Sequence, residues 1–218
     1  MSPYDQMTPP SPDTQISPGL QRTESPAEGE ARARAAQSIR NLLEWVGEDP
    51  RRDGLRDTPE RVLRAFQEYF GGYAIDPKVF LNTTFSEVEA YTGIISLHDI
   101  SFVSHCEHHM APFTGKAHVA YLPKETVVGI SKLARLVDAF ARRLQIQERL
   151  TAQIATTLFQ TLKPHGVAVM VEATHSCMTA RGVGKPGSSL KTSQFLGAFE
   201  HDEELRRQFE HRVAGASS

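Results

Sequence analysis

Two short stretches, far apart along the chain, most constrain what this sequence can fold into. The first is Ser104-His105-Cys106-Glu107-His108-His109, and the second is His175-Ser176-Cys177-Met178. Together they hold both cysteines of the chain, and Cys106 and His109 have the Cys-x-x-His spacing with which a tight turn can present two ligands to one metal. If the fold brings Cys177 to that turn, three ligands would leave the fourth position of a tetrahedral zinc open, as in catalytic sites.

Other interpretations of these two stretches remain open at this level. Free cysteine often packs as a small buried hydrophobe, and a histidine-rich hexapeptide can form a solvated turn. A closed structural zinc site is a further alternative, in which His105, His108 or His175 would supply the fourth ligand. The prediction of an open catalytic site therefore depends on whether the two stretches meet in space.

Composition limits the class of protein. The 218 residues carry 24 Lys+Arg and 26 Asp+Glu, a formal net charge of -2, so there is no overall basic surface for nucleic acid. The apolar content is 39% without a run of about 18 apolar residues, and no membrane-spanning helix is expected. The N-terminus lacks the apolar core of a secretory signal, and two cysteines cannot form a disulfide scaffold. We therefore expect a cytoplasmic protein that keeps cysteine for metal binding or chemistry.

Three regions are predicted along the chain. Residues 1–31 form a tail rich in proline and polar residues, with too few apolar residues to offset chain entropy, and are expected to be disordered. Residues 32–72 form a helical segment, whose second helix begins at Asp57-Thr58-Pro59, a capping side chain followed by proline. Residues 73–218 form the catalytic domain.

Apolar residues alternate in two strands at the beginning of the third region. One strand is predicted around residues 95–102 and a second around 117–121, with a turn at Pro112–Gly115. The Cys106–His109 stretch should then lie in the connection between two antiparallel strands. Loops held by a rigid sheet are common places for function.

Helices and further strands follow. Two long helices are predicted, one opened by Ser131 and one begun by Gln147-Glu148, and the alternation of Val167, Val169 and Val171 predicts the next strand. Residues two apart in a strand face the same side, so His175 and Cys177 should both face one site. A last strand is expected near residues 194–199 and a polar helix at 203–211, which gives an α+β fold.

Cationic residues near helix starts point to an anionic substrate. Arg61 lies in the first turn of the second helix, Lys132 and Arg135 follow Ser131 at the start of another, and Arg181 follows the second cysteine by four residues. If these residues converge, they can bind a polyphosphate. Each of them alone would be an ordinary surface charge.

The remaining polar residues near these stretches have possible chemical roles. Glu148 beside Gln147 could bind a guanine edge, with the carboxylate accepting from N1–H and the exocyclic amine, although an acidic residue at a helix start is also favoured by the dipole. His108 and His175 become candidates for proton transfer if they are not metal ligands. The residues by themselves thus predict a zinc hydrolase that acts on an anionic substrate.

Four separated motifs resemble those of the GTP cyclohydrolase I family, type IA, and occur in the family's order. They are Cys106-Glu107-His108-His109, Gly129-Ile130-Ser131-Lys132-Leu133-Ala134-Arg135, Gln147-Glu148-Arg149-Leu150-Thr151, and His175-Ser176-Cys177 with Ala180-Arg181-Gly182. The resemblance covers about Ile39 to the C-terminus. It implies a tunnelling fold (T-fold), in which an antiparallel sheet carries two long helices on one face, with additional N-terminal helices. It also implies pentameric rings of subunits that stack into a homodecamer, with active sites between subunits, which would pair off the sheet edges.

The same resemblance implies an activity and residue roles. The family converts GTP and water to 7,8-dihydroneopterin triphosphate and formate, the first step of pterin synthesis for folate or tetrahydrobiopterin. Cys106, His109 and Cys177 match the zinc ligands, and the metal is implied to activate water for attack on C8 of the guanine. His108 matches the acid that protonates the purine nitrogen as the ring opens, and His175 matches a second proton-transfer group.

Substrate contacts follow from the resemblance in the same way. Glu148, with Gln147, matches the residues that recognise guanine, and the triphosphate is implied to bind Arg61, Ser131, Lys132, Arg135 and Arg181. A T-fold relative with other chemistry is the main alternative, for example a nitrile reductase that uses a cysteine nucleophile and NADPH without catalytic zinc. The set of three metal ligands argues against that alternative.

Overall fold

The computed structural model describes residues 26–85 and 91–216 of the chain. The chain divides into two compact units, Met1–Leu63 and Arg64–Ser218. Most of the predicted tail at residues 1–31 lies outside the described residues. Helix α1, Pro26–Trp45, includes residues 26–31, which the sequence analysis placed in that tail. The division of the chain into three regions otherwise stays a prediction.

Helix α2, Thr58–Tyr69, begins in the first unit and ends in the second. Its start agrees with the predicted signal, because Thr58 is its first residue and Pro59 its second. Proline is well tolerated in the first helical turn, where no intrahelical partner for its N–H is lost. Within the first unit, Arg32 on α1 forms an ion pair of 2.8 Å with Glu60 on α2. The start of α2 is therefore tied to α1 by a charge-assisted hydrogen bond.

The second unit contains short elements before its main sheet. Two 3-10 turns, Gly71–Ala74 and Pro77–Leu81, follow α2. Strand β1, Thr84–Phe85, pairs antiparallel with β4, Val127–Val128, in a separate two-stranded sheet.

A five-stranded sheet forms the centre of the second unit. Its strands are β2 (Ile95–Cys106), β3 (Pro112–Leu122), β5 (Leu144–Gln145), β6 (Gly166–His175) and β7 (Leu190–Gly197). The strand order is β5-β2-β3-β6-β7. All neighbouring strands run antiparallel except the short β5, which is parallel to β2. The predicted α+β class is confirmed.

The predicted turn at Pro112–Gly115 is wrong, because β3 begins at Pro112. Proline is acceptable as the first residue of a strand, where its missing N–H weakens the ladder least. Gly115 lies within the strand opposite Ala173 of β6, and a Cβ built at Gly115 would lie 2.0 Å from the carbonyl oxygen of Glu172. This glycine therefore marks a close approach of two strands rather than a turn.

The two long helices cover one face of the sheet, as predicted. Helix α3 spans Ile130–Ala141 and helix α4 spans Gln147–Leu162. Their buried residues form one core with the apolar residues of β3 and β6 that point to this face. That core includes Val119, Tyr121, Leu133, Leu136, Val137, Leu150, Ile154, Leu158, Val167, Val169 and Val171.

The opposite face of the sheet carries a smaller core. Helices α6, Ala198–His201, and α7, Glu203–Ala216, follow β7 on this face, whereas the single-turn helix α5, Ser176–Thr179, follows β6 and packs Cys177 against the larger core. Phe199 and Phe209 are fully buried and pack with Ala120 and Ala168, which point to this second face. The predicted C-terminal helix is thus present, but it buries an aromatic side chain and is not wholly polar.

Among residues 26–85 and 91–216, none of the helices has both the length and the apolar character needed to cross a membrane.

Candidate active site

Strand directions bring the two cysteine stretches to one end of the sheet. Strands β2 and β6 both pair antiparallel with β3, so their carboxyl ends lie at the same end. In this register Phe113 at the start of β3 pairs with Ser104 of β2 on one side and His175 of β6 on the other. Cys106 follows Ser104 by two residues, and Cys177 follows His175 by two. The long-range contact that the sequence left open is therefore a consequence of strand order.

A tight turn follows Cys106 at the end of β2. The Cys106 N–H donates to the Ala111 carbonyl at 2.9 Å, and the Met110 N–H donates back to the Cys106 carbonyl at 2.7 Å. Met110 has φ 54°, the left-handed region in which a non-glycine residue is uncommon. These two hydrogen bonds close a turn that contains Glu107–His109, and the turn brings His109 back toward Cys106.

The ligand atoms of Cys106, His109 and Cys177 all lie within 4.8 Å of one another. Two thiols and one imidazole are the donor set that Zn²⁺ accepts in proteins, and three protein ligands are typical of sites with an open position. Burial raises the pKa of the Cys177 thiol, and the neighbouring Cys106 raises it further. A cation between the two sulfurs would favour both thiolates, so this arrangement fits a bound metal.

Cys177 reaches this cluster by a route that differs from the prediction. Strand β6 ends at His175, and Cys177 lies in the single helical turn of α5. The prediction that His175 and Cys177 lie two apart in one strand is therefore wrong, because Cys177 lies beyond the end of the strand. The turn is fixed by the Ala180 N–H, which donates to the Ser176 carbonyl at 2.9 Å.

The histidines considered as fourth ligands do not join the cluster. Within the part of the chain that the structure describes, the convergent group contains three residues and none of these histidines. His108 is exposed, and its Nδ1 lies 3.7 Å from Cys106 Sγ. His105 is buried and packs against the rings of Tyr69 and Phe70, at centroid distances of 4.6 Å and 5.3 Å. This geometry favours an open site over a closed structural one.

His175 is held on two sides. Its ring stacks on Phe113 with a centroid distance of 4.4 Å and an interplanar angle of 5°. Its Nε2 lies 2.9 Å from Oε1 of Gln147. Burial lowers the pKa of His175, and the carboxylate of Glu148 opposes that shift. The ring is therefore fixed in plane and position, two residues before Cys177.

The start of α4 reaches the same end of the sheet through β5. Cys106 pairs with Gln145 of β5, and the Glu107 N–H donates to the Gln145 carbonyl at 3.0 Å. Glu148 is exposed in the first turn of α4. Gln147 is 1% exposed, and its side-chain amide bonds to groups on β6 and β7. Gln147 stays a predicted substrate-binding residue.

The predicted phosphate-binding residues lie on three segments. Ser131, Lys132 and Arg135 lie in the first two turns of α3, and Arg181 follows α5. Among the described residues, no ion pair is formed by Lys132, Arg135 or Arg181, which leaves their charges available to a ligand. Arg61 is exposed on α2 and forms an ion pair of 3.1 Å with Asp57. No hydrogen bond between described residues joins the three α3 residues to the metal-ligand cluster, and their role stays a prediction.

Two features of the site were missed from the sequence. Phe113 was assigned to a turn, although the apolar alternation of β3 extends back to it and would have placed it in the strand. Glu107 had no assigned role, and the structure pairs it with Arg149 of α4. Arg149 also donates to Gln145 Oε1 at 3.1 Å and to the Leu144 carbonyl at 3.2 Å. This guanidinium links the metal-binding turn, β5 and α4, which no local sequence pattern reveals.

Comparison with known proteins decides the family. A family model described as GTP cyclohydrolase I matches residues 35–214, most of the chain. The chain belongs to the GTP cyclohydrolase I family. The sequence resemblance is thereby confirmed, and the observed α+β architecture agrees with the T-fold of this family.

Curated relatives agree with this assignment. Proteins named GTP cyclohydrolase 1 from Brucella canis, Brucella abortus and Brucella melitensis are each 57% identical over 180 residues, which covers 82% of this chain and 84% of theirs. Among solved structures, the apo crystal structure of the archaeosine synthase QueF-Like superposes with a TM-score of 0.42 at 17% identity, covering 50% of this chain and 97% of that one.

Proposed function

We propose that this chain is a zinc-dependent GTP cyclohydrolase I that converts GTP and water to 7,8-dihydroneopterin triphosphate and formate. The observation that carries the proposal is the convergence of Cys106, His109 and Cys177 within 4.8 Å in a member of this family. A tetrahedral ion bound there by three protein ligands keeps one position for water or substrate. Zinc in such a site lowers the pKa of water and polarises the bond that is attacked.

Two histidines next to the ligands are suited to proton transfer. His108 is exposed and adjacent in sequence to His109, so it can reach a substrate beside the metal. We assign it the protonation of the purine nitrogen that leaves C8 as the imidazole ring of guanine opens. His175 is half-buried and rigidly held, and we assign it the second proton transfer, near C8 and the ribose.

Recognition of GTP divides between a carboxylate and a group of cations. Glu148 forms no ion pair with a described residue, and its carboxylate can accept from N1–H and the exocyclic amine of guanine. The triphosphate would be bound by the cationic residues, together with N–H groups at the start of α3, where the helix dipole favours an anion. The proposed triphosphate residues are Arg61, Ser131, Lys132, Arg135 and Arg181.

We further propose a homodecamer of two stacked pentamers, with sites between subunits, in the cytoplasm. Within the described residues the five-stranded sheet is open, with β5 at one edge and β7 at the other. Open edges tend to pair, and a ring of subunits would satisfy them.

The test of the activity is direct. Purified protein is incubated with GTP, and formate and the fluorescent oxidised pterin are measured before and after treatment with a chelator and re-addition of zinc. We expect both products in equal amounts, their loss with the chelator, and recovery with zinc. Full turnover in metal-free protein would contradict the zinc dependence, and GTP consumption without formate would contradict the reaction.

Variants separate the proposed roles. Cys177→Ser should lose zinc and activity together, since it removes one of three ligands. His108→Ala should keep zinc while turnover collapses. His201→Ala is the matched control, because His201 is exposed on α6, an element that carries none of the proposed metal ligands. Wild-type turnover in His108→Ala would remove His108 from proton transfer. Glu148→Gln should weaken GTP binding without changing the zinc content.

A further inference from the structure

The side chain of Gln147 is a buried group with an unusually complete set of partners. It is 1% exposed at the start of α4. Its Nε2 lies 3.0 Å from the Val171 carbonyl, 2.9 Å from the Leu190 carbonyl and 3.2 Å from Thr192 Oγ1. Its Oε1 lies 2.9 Å from Nε2 of His175. Every polar atom of this amide is therefore engaged inside the protein.

The orientation of this amide is fixed by chemistry. Carbonyl oxygens of Val171 and Leu190 can only accept hydrogen bonds, so the atom that faces them must be the NH₂ group. An amide rotated by half a turn would place its oxygen against two carbonyl oxygens, with no hydrogen between them. Oε1 is consequently directed at His175.

The hydroxyl groups nearby have a consistent direction as well. Thr151 Oγ1 donates to the Gln147 main-chain carbonyl at 2.8 Å, which uses its one hydrogen. Thr192 Oγ1 lies 2.6 Å from Thr151 Oγ1 and must therefore be the donor in that pair. Its lone pairs can share a Gln147 hydrogen with one of the two carbonyls, because the amide has two hydrogens for three acceptors. The network thus has one self-consistent assignment of donors and acceptors.

This assignment determines which nitrogen of His175 carries the proton. An amide oxygen only accepts, so Nε2 of His175 must be the donor. The neutral ring is then the Nε2–H tautomer, in which Nδ1 has the free lone pair. A half-turn of the ring about Cβ–Cγ would place Cε1 where Nε2 now meets Gln147, so the loss of this hydrogen bond disfavours the turned ring.

We propose that Gln147 is a positioning residue that fixes the orientation of the His175 ring and holds its neutral form as the Nε2–H tautomer. This inference rests on the proposed function, in which His175 transfers a proton. The side chain of Gln147 then acts through His175 rather than on the guanine.

The first measurement is the tautomer itself. Zinc-loaded protein labelled with ¹⁵N-histidine is studied by solid-state NMR at about pH 8, where an ordinary histidine is neutral. The His175 signals are identified by their loss in His175→Asn. We expect a protonated Nε2 and an unprotonated Nδ1. A protonated Nδ1 in the wild-type protein would overturn the proposal, and this result does not depend on whether GTP is the substrate.

The second measurement is kinetic. Gln147→Met keeps the length of the side chain and removes the acceptor, and Gln153→Met is the same substitution on the same helix, at a glutamine that bonds Gln145 instead. We expect Gln147→Met to mix the His175 tautomers and to lower kcat by roughly 10- to 100-fold, part of what a proton-transfer group contributes. The KM for GTP and the zinc content should stay near wild type, and Gln153→Met should change neither kinetic constant.

The outcomes separate the competing roles of Gln147. A raised KM with unchanged kcat would show that Gln147 recognises the base, and it would contradict the positioning role. Equal losses in both variants would indicate a general packing effect and would also contradict it. If Gln147→Met does not fold, the wild-type NMR result still decides the tautomer. Absence of formate release by the wild-type protein would refute the proposed function and leave the tautomer assignment to its own test.

Discussion

Gly115→Ala adds a single methyl group, and the structure predicts that it strongly destabilises the fold. Gly115 lies in β3 where β6 approaches closely, opposite Ala173. A Cβ at this position would lie 2.0 Å from the Glu172 carbonyl oxygen and 2.7 Å from both Cα and Cβ of Ala173. Two of these atoms are main-chain atoms of a central strand, so a rotamer change cannot relieve the contact.

The expected cost follows from this lack of freedom. Overpacking in a well-packed region lowers the free energy of unfolding by about 1–3 kcal/mol. We expect about 3 kcal/mol for Gly115→Ala, the upper end of this range, because two paired strands must move apart. For a chain of this size that loss corresponds to a fall in Tm of roughly 6–12 °C. Turnover should fall as well, because Phe113 precedes Gly115 by two residues and its ring stacks on His175.

Thermal unfolding of zinc-loaded protein, followed by circular dichroism at equal protein concentration, measures this effect. Gly71→Ala is the matched control, since a Cβ at Gly71 has nothing within 4 Å. The control should keep or slightly raise Tm, because alanine reduces the entropy of the unfolded chain. A Tm for Gly115→Ala equal to that of the control would refute the close strand approach on which this reasoning depends.

Two further predictions concern buried polar groups. The buried Val128 N–H donates to the hydroxyl oxygen of Tyr121 at 3.0 Å, and Tyr121→Phe removes this acceptor. The substitution should lower the free energy of unfolding, measured by urea titration, by about 1–3 kcal/mol. Burial holds the pKa of His118 below its ordinary value, and the nearby carboxylate of Asp99 opposes this shift. The unfolded chain therefore binds more protons than the folded protein below about pH 6.5, and the free energy of unfolding decreases as the pH falls from there. His118→Asn should therefore reduce the loss of Tm between about pH 7.5 and pH 5.5.

Each of these two predictions has a control of the same type. Tyr69→Phe removes a hydroxyl from a 44% exposed tyrosine and should cost little, so equal losses in both variants would argue against an unsatisfied N–H as the cause. His201→Asn changes an exposed histidine and should keep the wild-type pH dependence. A wild-type slope in His118→Asn would mean that other groups control stability in this range.

Local patterns in the sequence determined the elements and the chemical character of the site. The four-residue spacing of Leu150, Ile154 and Leu158 predicted α4, and the alternation of valines predicted β6, because burial on one face requires those periods. Thr58-Pro59 marked the start of α2 through cap chemistry that depends on neighbouring residues alone. The candidate ligand types were also readable, since cysteine and histidine at this spacing can present two ligands to one metal.

Only the tertiary structure decided which of these residues meet. Cys106 and Cys177 come within ligand distance because β2 and β6 both flank β3 and end on the same side, which is a property of strand order and not of either stretch. Strand order also brings the ring of Phe113 onto His175, and it brings the Gln147 amide to its four polar contacts on β6 and β7. Periodicity records which side of an element is buried, but it does not record what lies opposite. The sequence therefore specified the candidate ligands, and the fold specified which of them converge.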